Sequence, residues 1–377
     1  MRKVIITNLL ILAVFGSTCF WSVKKDRLTA SVDKILAEQT EGEEEILVLT
    51  SSDLVKKNDQ NTTKDYIKWV DFTVSKFALA ESYEYDRDTY GTDRHISWID
   101  LLAWTAAHTG GKFGDDRTVC KCMEELEMEA EAGKKLEELT EDLEYFPYYR
   151  EVYETVLGGM VGEYEIEEPD AQGRKVTQKR YGLKAFHPIA KGFPYTDYDD
   201  FGASRSYGYR REHLGHDMMG QVGTPVVCVE SGYVEALGWN QYGGWRIGIR
   251  SFDKKRYYYY AHLRQGFPYQ PELKEGSVVL AGDVIGYMGH TGYSTKEDVN
   301  NIDQTHLHVG MQLIFDESQK DSDNEIWIDC YQIMGFLYRN QSETARNDET
   351  KEWRRIYEMK DPAAEKYERT RDFSMYP

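Results

Sequence analysis

The sequence is poor in cysteine, in proline and in positive charge, and each shortage excludes a class of protein. Its 377 residues include five scattered cysteines, too few for a disulfide framework. Nine prolines exclude a proline-rich fibrous or linker protein. Lysine and arginine number 46 against 65 aspartates and glutamates, a net charge of −19. Because this excess of acid repels phosphate backbones, we expect no nucleic acid partner.

The sequence does contain enough apolar material for packed cores. Hydrophobic residues make up 41% of the chain and aromatic residues 13%, including 28 tyrosines, which excludes global disorder. A length of 377 residues suggests two domains, since domains usually run to about 100–200 residues. Stability must then come from core packing or from a bound metal.

The amino terminus carries an uncharged stretch, residues 4–23, between two basic flanks. As a helix rising about 1.5 Å per residue, this stretch spans roughly 30 Å, the hydrocarbon thickness of a bilayer. We therefore predict a transmembrane anchor or signal segment over residues 1–23, with the rest of the chain exported. Cleavage, or lipidation at Cys19, remain the alternatives.

Two regions follow before the part of the sequence that carries the chemistry. Residues 24–60 are polar and acidic, which is typical of a stalk leading away from a membrane. Over residues 61–165 the apolar residues recur at spacings of three and four, as at Val74 and Phe77. We predict an α-helical domain of unknown role there, including one acidic helix over residues 123–143 with a solvated face.

After residue 181 the sequence changes to short alternating segments with frequent glycine, the pattern of an all-β domain. We predict that this domain occupies residues 181–338. Residues 339–377 are predicted to form a charged tail, either a peripheral helix or a disordered segment. The fold class is therefore mixed: a membrane anchor, a mostly α-helical middle domain and a C-terminal β domain. The predicted strands cover residues 226–237, 245–250, 256–263, 278–285 and 306–315.

Histidine is concentrated in the β domain. Six of the nine histidines lie between positions 213 and 308, where even scatter would place two or three. Histidine serves both as a neutral metal ligand and as an acid or base near neutral pH. Its concentration therefore points to a metal or catalytic site.

Strand alternation would aim several of these histidines at one place. In the last predicted strand, His306 and His308 fall on one face and apolar residues fall on the other. The same alternation places Tyr258, Tyr260 and His262 on one face of an earlier strand. Each feature alone is a weak signal, since half-buried histidines and cross-strand tyrosine packing are common. Their joint occurrence makes the site credible.

A carboxylate accompanies the histidines at a suitable spacing. His213 and Asp217 are four residues apart, and Gly215 between them would allow a turn that brings both side chains inward. Two histidines and one carboxylate make a three-ligand zinc site whose fourth position stays open, the arrangement of a catalytic zinc. An H-x3-D pair by itself is more often a surface turn. His216 offers an alternative ligand beside His213.

A series of motifs occurs in order over residues 210–315. They are His213-Leu214-Gly215-His216-Asp217, Gly223-Thr224-Pro225-Val226, Tyr260-Ala261-His262-Leu263, the glycine-spaced run from Gly276 to Gly286, Gly289-His290-Thr291-Gly292-Tyr293-Ser294 and His306-Leu307-His308. Together they resemble the lysostaphin-type (LytM-like) zinc metallopeptidases, which cut peptidoglycan peptides. The resemblance covers little over a quarter of the chain, but several motifs in the same order make it specific.

The resemblance implies a chemistry for individual residues. It implies one zinc ion held by His213, Asp217 and His308, with His306 deprotonating a water and His262 donating to the oxyanion of the tetrahedral intermediate. It implies a β-sheet scaffold with lipoyl-like hybrid motifs (a duplicated hybrid motif). The function implied is a zinc-dependent endopeptidase that hydrolyses peptide stems or cross-bridges of bacterial peptidoglycan. With the predicted anchor, the catalytic domain would lie on the extracellular, cell-wall side of the membrane.

Two features bear on substrate binding. Residues 296–304 are an insertion relative to the family pattern, which we expect to border the cleft, and Thr305 stands where the family usually has proline. The side chains expected to line a substrate groove are Tyr258, Tyr260, Trp239 and His290, with Tyr242 and Trp245 as further aromatic candidates.

An alternative function is a catalytically silent module of the same fold that acts as a scaffold or activator of envelope proteins. Degenerate members usually lose ligand residues, whereas all five key positions are present here, which favours the enzyme. A lipoyl or biotin carrier would need a lysine at an exposed hairpin tip and would leave the histidines idle. The expected partners are peptidoglycan peptides, the membrane through the N-terminal segment, and envelope proteins.

Overall fold

The computed structural model of the protein describes residues 72–207, 209–320 and 325–374, all within one unit of the fold. The predicted anchor over residues 1–23 and the predicted stalk over residues 24–60 lie outside the described residues. Within the described part of the chain, no helix combines the length and apolar character that a bilayer span requires.

Helices come first and strands follow. The helical region contains α1 (Lys76–Thr89), α2 (Trp98–Thr109), α3 (Asp116–Glu131), α4 (Leu136–Thr140) and α5 (Phe146–Leu157). The strands are β1 (Val161–Pro169), β2 (Lys175–Leu183), β3 (Thr196–Asp197), β4 (Ser204–Tyr207), β5 (Tyr209–Glu212), β6 (His216–Met219), β7 (Pro225–Val227), β8 (Gly232–Asn240), β9 (Gly244–Ser251), β10 (Arg256–Ala261), β11 (Val278–Val279), β12 (Val284–Tyr287), β13 (His306–Leu313) and β14 (Ile326–Ile328). The chain continues through α6 (Tyr331–Leu337), β15 (Thr344–Arg346), β16 (Trp353–Arg355), β17 (Met359–Lys360) and α7 (Pro362–Ser374), and a 3-10 turn spans Glu317–Gln319.

Serine caps explain where the first two helices begin. The hydroxyl of Ser75 accepts a hydrogen bond from the backbone N–H of Ala78, and the hydroxyl of Ser97 accepts one from Asp100, both at 3.1 Å. These bonds satisfy donors that the N-terminus of a helix otherwise leaves unpaired.

The acidic helix predicted over residues 123–143 is two helices, so the prediction of a single helix is wrong. α3 ends at Glu131 and α4 begins at Leu136. Gly133 lies between them with a φ of 85°, a left-handed conformation that glycine adopts at little cost and that ends a helix. The glutamates of α3 are exposed or half-buried, as expected.

An antiparallel sheet positions the candidate site. Its strand order is β11-β8-β9-β10-β13-β6-β3, and β14 also pairs with β13. The strands predicted over residues 245–250 and 256–263 are present as β9 and β10, which pair as a hairpin with Tyr258 opposite Ile249. One face of the sheet packs into the core through side chains such as Ile249, Val309 and Met311, all fully buried. The opposite face carries the histidines of β13.

A hydrophobic core shared by the helices and the sheet joins the two regions. A buried polar link adds to it, because Arg256 donates to both carboxylate oxygens of Glu230 at 2.8 and 2.9 Å and to the carbonyl of Thr155 at 2.7 Å. Gly159 permits the link, since a Cβ there would lie 1.7 Å from Glu230. The mixed class is confirmed as a helical region followed by a β-rich domain, while the lipoyl-like hybrid motifs stay a prediction.

The segment predicted as a charged tail is built into the fold. β17 pairs with β1, with Met359 opposite Ile166, and Met359 is 2% exposed. Pairing satisfies backbone groups along an edge of β1 that would otherwise need water. Only the last element, α7, corresponds to the predicted peripheral helix.

Candidate metal and catalytic centre

Strand pairing brings distant candidate ligands together. β13 pairs with β6 so that His308 lies directly opposite Asp217. Side chains opposite each other across antiparallel strands share a face of the sheet. His213 reaches the same face from the loop between β5 and β6. His308 therefore becomes a neighbour of Asp217 and His213, which precede it by 91 and 95 positions in the sequence.

The three ligand atoms form a tight triangle. Nε2 of His213 lies 3.0 Å from Oδ1 of Asp217 and 2.9 Å from Nδ1 of His308, and the last two atoms are 2.9 Å apart. Among the described residues, this trio has the geometry of a metal site. Tetrahedral zinc, with bonds of about 2.0–2.2 Å to nitrogen and oxygen, separates its ligand atoms by about 3.3–3.5 Å. The donor set is one that zinc takes, and the three atoms would have to move apart by about 0.4 Å to hold it.

Gly215 fixes where the ring of His308 can lie. A Cβ at this position would be 2.5 Å from Cε1 and 2.6 Å from Nε2 of the imidazole. The chain bends at Gly215, although the φ of this residue is outside the left-handed region. The site requires that residue 215 have no side chain, because the ring of His308 packs directly on the backbone there.

A second layer of polar groups orients the ligands. Nδ1 of His213 donates to the carbonyl of Asp200 at 3.3 Å and lies 3.1 Å from its carboxylate, which directs Nε2 into the cluster. Arg205 donates to both Asp200 and Asp217. Burial would raise the pKa of Asp217, but hydrogen bonds with His213 and His308 hold that pKa well below its usual range. Asp217 is therefore ionised.

Two further histidines border the cluster, and in both Nδ1 is occupied. Nδ1 of His262 donates to the carbonyl of Thr291 at 3.0 Å, and Nδ1 of His306 donates to the carbonyl of Gln304 at 2.8 Å. The ring centroids are 4.7 Å apart. Burial, with the neighbouring His306 and His308, lowers the pKa of His262 well below its usual value. In the neutral rings Nε2 carries the lone pair and accepts hydrogen bonds.

The backbone at His262 overturns the prediction that Tyr258 and Tyr260 line the groove. Both tyrosines are fully buried in the core. His262 has a φ of 59°, a left-handed conformation that interrupts the alternation of the strand. Its side chain therefore joins the face of Tyr257 and Tyr259, which line the site instead.

The cluster opens into a cavity of about 450 Å³. Glycines in the sheet make room for aromatic rings over its floor. A Cβ at Gly310 would lie 2.6 Å from the indole of Trp327, and one at Gly248 would lie 1.9 Å from the hydroxyl of Tyr257. The aromatic residues lining the cavity are Tyr242, Tyr257, Tyr259, Tyr293 and Trp327.

Trp239 and His290, the other predicted groove residues, are not part of the cavity lining, so that prediction is wrong. Trp239 packs edge to face against Trp245, with ring centroids 5.7 Å apart. Nδ1 of His290 donates to the carbonyl of Ile302 at 2.8 Å. His290 therefore fastens the insertion rather than contacting the cavity.

The insertion, residues 296–304, also lies outside the cavity lining, contrary to the expectation. Asp298 within it accepts hydrogen bonds from the indole of Trp245 and from the backbone N–H of Gly266, both at 2.8 Å. These bonds fasten the insertion to residues that do not line the cavity.

His216, the alternative ligand, points to the other face of the sheet. It pairs with Val309, whose side chain lies in the core. Its Nε2 donates to the carboxylate of Asp197 at 2.9 Å. His216 is therefore outside the ligand trio.

Arg246, Tyr259 and Gln312 also line the cavity, although no sequence motif singles them out. Strand register was the signal that could have found them. Tyr259 pairs with Gly310, two residues beyond His308, and Gln312 follows two residues later. Arg246 immediately precedes a core-facing isoleucine and so falls on the cavity face.

Residues 211–322 match Peptidase family M23, which confirms the resemblance. The chain is 42% identical over 124 residues to the L-Ala–D-Glu endopeptidase of Bacillus subtilis (strain 168), covering 33% of this chain and 36% of that protein. It is 39% identical over 84 residues to lysostaphin of Staphylococcus simulans, covering 22% of this chain and 16% of that protein. The solved catalytic domain of that lysostaphin is 30% identical and covers 37% of this chain and 92% of that one, with a TM-score of 0.28. The chain thus spans about a third or less of the length of these curated relatives, and residues 211–322 are a peptidase domain of this family.

Proposed function

From the M23 peptidase domain at residues 211–322, we propose that the chain is a zinc-dependent endopeptidase that hydrolyses peptide stems or cross-bridges of bacterial peptidoglycan. The relative that shares 42% identity is named for cleavage at an L-Ala–D-Glu bond. Because the chain covers only part of its relatives, the activity of the whole protein rests on the chemistry of the site itself.

The observation that carries the proposal is the convergence of His213, Asp217 and His308 within 3.0 Å of one another. Buried histidines and a carboxylate in mutual contact are costly unless a cation or proton is shared among them. They lie at the wall of a cavity large enough for part of a peptide. The two remaining histidines face the same cavity.

Zinc bound at this site would lower the pKa of a bound water towards about 7 and would polarise the scissile carbonyl. The residues supply the proton transfers. Nε2 of His306 lies 3.8 Å from Oδ1 of Asp217, in the lining of the same cavity as the ligand trio. We assign it to take the proton of that water and to return it to the departing amine nitrogen.

His262 receives a different role from the one that the resemblance implied. Its Nδ1–H is already donated to Thr291, so the neutral ring has no second N–H to offer an oxyanion. Its Nε2 is an acceptor. We assign it to accept a hydrogen bond from the attacking water, which orients the water towards the carbonyl.

The place of action is also a proposal. An anchor over residues 1–23 would hold the peptidase domain on the cell-wall side of the membrane, where peptidoglycan is found. Fractionating cells that express the full-length chain, with and without residues 1–23, tests this placement.

Metal content and wall hydrolysis, measured together, test the function. His308→Ala should lose zinc, measured by mass spectrometry, and should lose hydrolysis of purified sacculi. His306→Ala should keep zinc and lose turnover, because its nitrogen is assigned to proton transfer and not to the metal. His216→Gln is the matched control, since this buried histidine adjoins Asp217 but faces the core.

Three results would contradict the proposal. Full activity of His306→Ala would remove the assigned base. Zinc retained by His308→Ala would remove the assigned metal site. A zinc-loaded wild-type chain that leaves all sacculi intact would support the catalytically silent module instead.

A further inference from the structure

Two side chains in the cavity carry hydrogen-bond donors that no described residue satisfies. Gln312 is 2% exposed, yet its Nε2 has no acceptor. Nη1 of Arg246 is buried and likewise has no acceptor. Both residues line the cavity that holds the histidines. An unsatisfied buried donor is costly, and more so when it is charged, so each of these groups calls for a partner from outside the chain.

Arg246 lies beside the proposed reaction centre. It precedes Ile247, which pairs with Tyr260, and Ala261 follows Tyr260 and pairs with His308. Two strand spacings, about 10 Å, therefore separate the backbones of Arg246 and His308. Ala261, on the strand between them, and the ring of Tyr259 line the cavity in this region. If the scissile peptide bond of a substrate lies at His308, the side chain of the neighbouring substrate residue can extend across this distance towards Arg246.

Two other basic side chains of the cavity already have ion-pair partners. Arg205 bonds Asp200 and Asp217, and Lys320 pairs with Glu235 at 2.9 Å. In contrast, Arg246 forms no ion pair with any described residue.

A second guanidinium adds positive charge nearby. Arg211 donates to the hydroxyl of Tyr293 at 2.9 Å and stacks over the rings of Tyr293 and Tyr242. It too forms no ion pair within the described part of the chain. Burial raises the pKa of Tyr259, and the charges of both Arg246 and Arg211 act against this rise. Both guanidinium groups therefore act on the phenol of Tyr259.

We propose that Arg246 binds a carboxylate of the substrate and makes the enzyme selective for acidic stem peptides over neutral cross-bridges. This proposal rests on the proposed function and deepens it. A guanidinium without an internal counter-ion suits a carboxylate, which it binds through two parallel hydrogen bonds. An oligoglycine cross-bridge has no side-chain carboxylate to offer. Gln312, being neutral, donates to a backbone carbonyl further along the same peptide.

Two peptides that differ in one group test the proposal. Both contain an L-Ala–D-Glu bond, and the free glutamate carboxylate of the first is a carboxamide in the second. We expect the full-length, zinc-loaded chain to favour the free carboxylate by roughly 10- to 100-fold in kcat/KM, the range of a charged hydrogen bond. Arg246→Met should abolish this preference, so that the ratio of the kcat/KM values for the two peptides falls to about one.

Matched variants separate the two subsites. Arg264→Met also removes a stacked arginine, one that lies over Tyr287 outside the cavity, and should keep the preference. Gln312→Leu should weaken the binding of both peptides to the same extent, because both contain the backbone carbonyl to which Gln312 is proposed to donate. No effect of Gln312→Leu would mean that water satisfies its amide and would overturn that part of the proposal.

Binding distinguishes failure of this proposal from failure of the proposed function. Calorimetric titration of both peptides into zinc-loaded His306→Ala protein measures affinity without turnover. The subsite is supported if the peptide with the free carboxylate binds more tightly than the amidated one and if Arg246→Met abolishes this difference. This holds even if no peptide is cleaved. Equal binding of both peptides, or a preference that survives Arg246→Met, would overturn it, whatever the catalytic result.

Discussion

The substitution Gly215→Ala isolates the part played by bare backbone in the metal site. The added Cβ would lie 2.5 Å from Cε1 and 2.6 Å from Nε2 of His308, and 2.8 Å from the carbonyl oxygen of Val309. Ordinary contact begins near 3.4 Å, so the imidazole must retreat by about 0.9 Å. The carbonyl is held in the strand pairing of β13 and β6. Most of the displacement therefore falls on the ring.

A retreat of this size is large for a ligand, because metal–ligand distances tolerate only about 0.2 Å. Disturbing groups that orient a ligand typically lowers metal affinity by about 10–100-fold, which is about 1.4–2.7 kcal/mol. We expect at least this loss for Gly215→Ala, because the ligand itself moves. Wall hydrolysis should fall in parallel at limiting zinc and recover partly when zinc is added.

The assay is a competition titration of zinc against a chromophoric chelator, with thermal unfolding of the metal-free protein as a check on folding. Gly114→Ala is the control, since a Cβ there meets nothing within 4 Å and its backbone is not left-handed. It should bind zinc as the wild type does. Zinc affinity of Gly215→Ala within threefold of the wild type would refute the reasoning, because His308 would then tolerate the added methyl group.

Two further predictions concern stability. Arg256→Met should lower the free energy of unfolding, measured by urea titration, by about 3–5 kcal/mol, because it leaves the carboxylate of Glu230 buried without its cation. The double variant Arg256→Met with Glu230→Leu should recover much of this loss. No recovery would contradict the explanation. Burial lowers the pKa of His187 from 6.5 to about 4, so its contribution to stability is present above pH 6.5 and is lost as the pH falls towards 4. The loss should be on the order of 3 kcal/mol, and urea titrations at several pH values should show it in the wild type but not in His187→Gln; identical pH profiles would contradict the assignment.

The chemical identity of the site could be predicted from the sequence to a large extent. His213, Asp217 and His308 are residue types that hold zinc, and their motifs occur in a specific order. The structure brings these three together and places His262 and His306 beside them. Such patterns can be recognised in the sequence because ligand chemistry depends on residue type and on local spacing.

The strands of the β domain were also predictable, because alternation of apolar and polar residues has a period of two in any sheet. The helical region was predictable for a similar local reason. Its division at Gly133 was not, because a glycine within an acidic stretch does not reveal its φ. The pairing of Met359 with β1 was not predictable either, since a charged local sequence does not show which distant edge it will join.

The substrate-binding surface was decided by the tertiary structure. The alternation that predicted Tyr258 and Tyr260 in the groove fails at His262, where one left-handed residue changes which face the next side chain joins. Arg246 likewise looks like any strand arginine until the fold places it in the cavity lining with no counter-ion among the described residues. The sequence by itself determined which atoms could hold a metal, because that property belongs to the residues. Long-range strand pairing decided which side chains face the substrate. A contact between two strands depends on both of their sequences, so neither sequence alone predicts it.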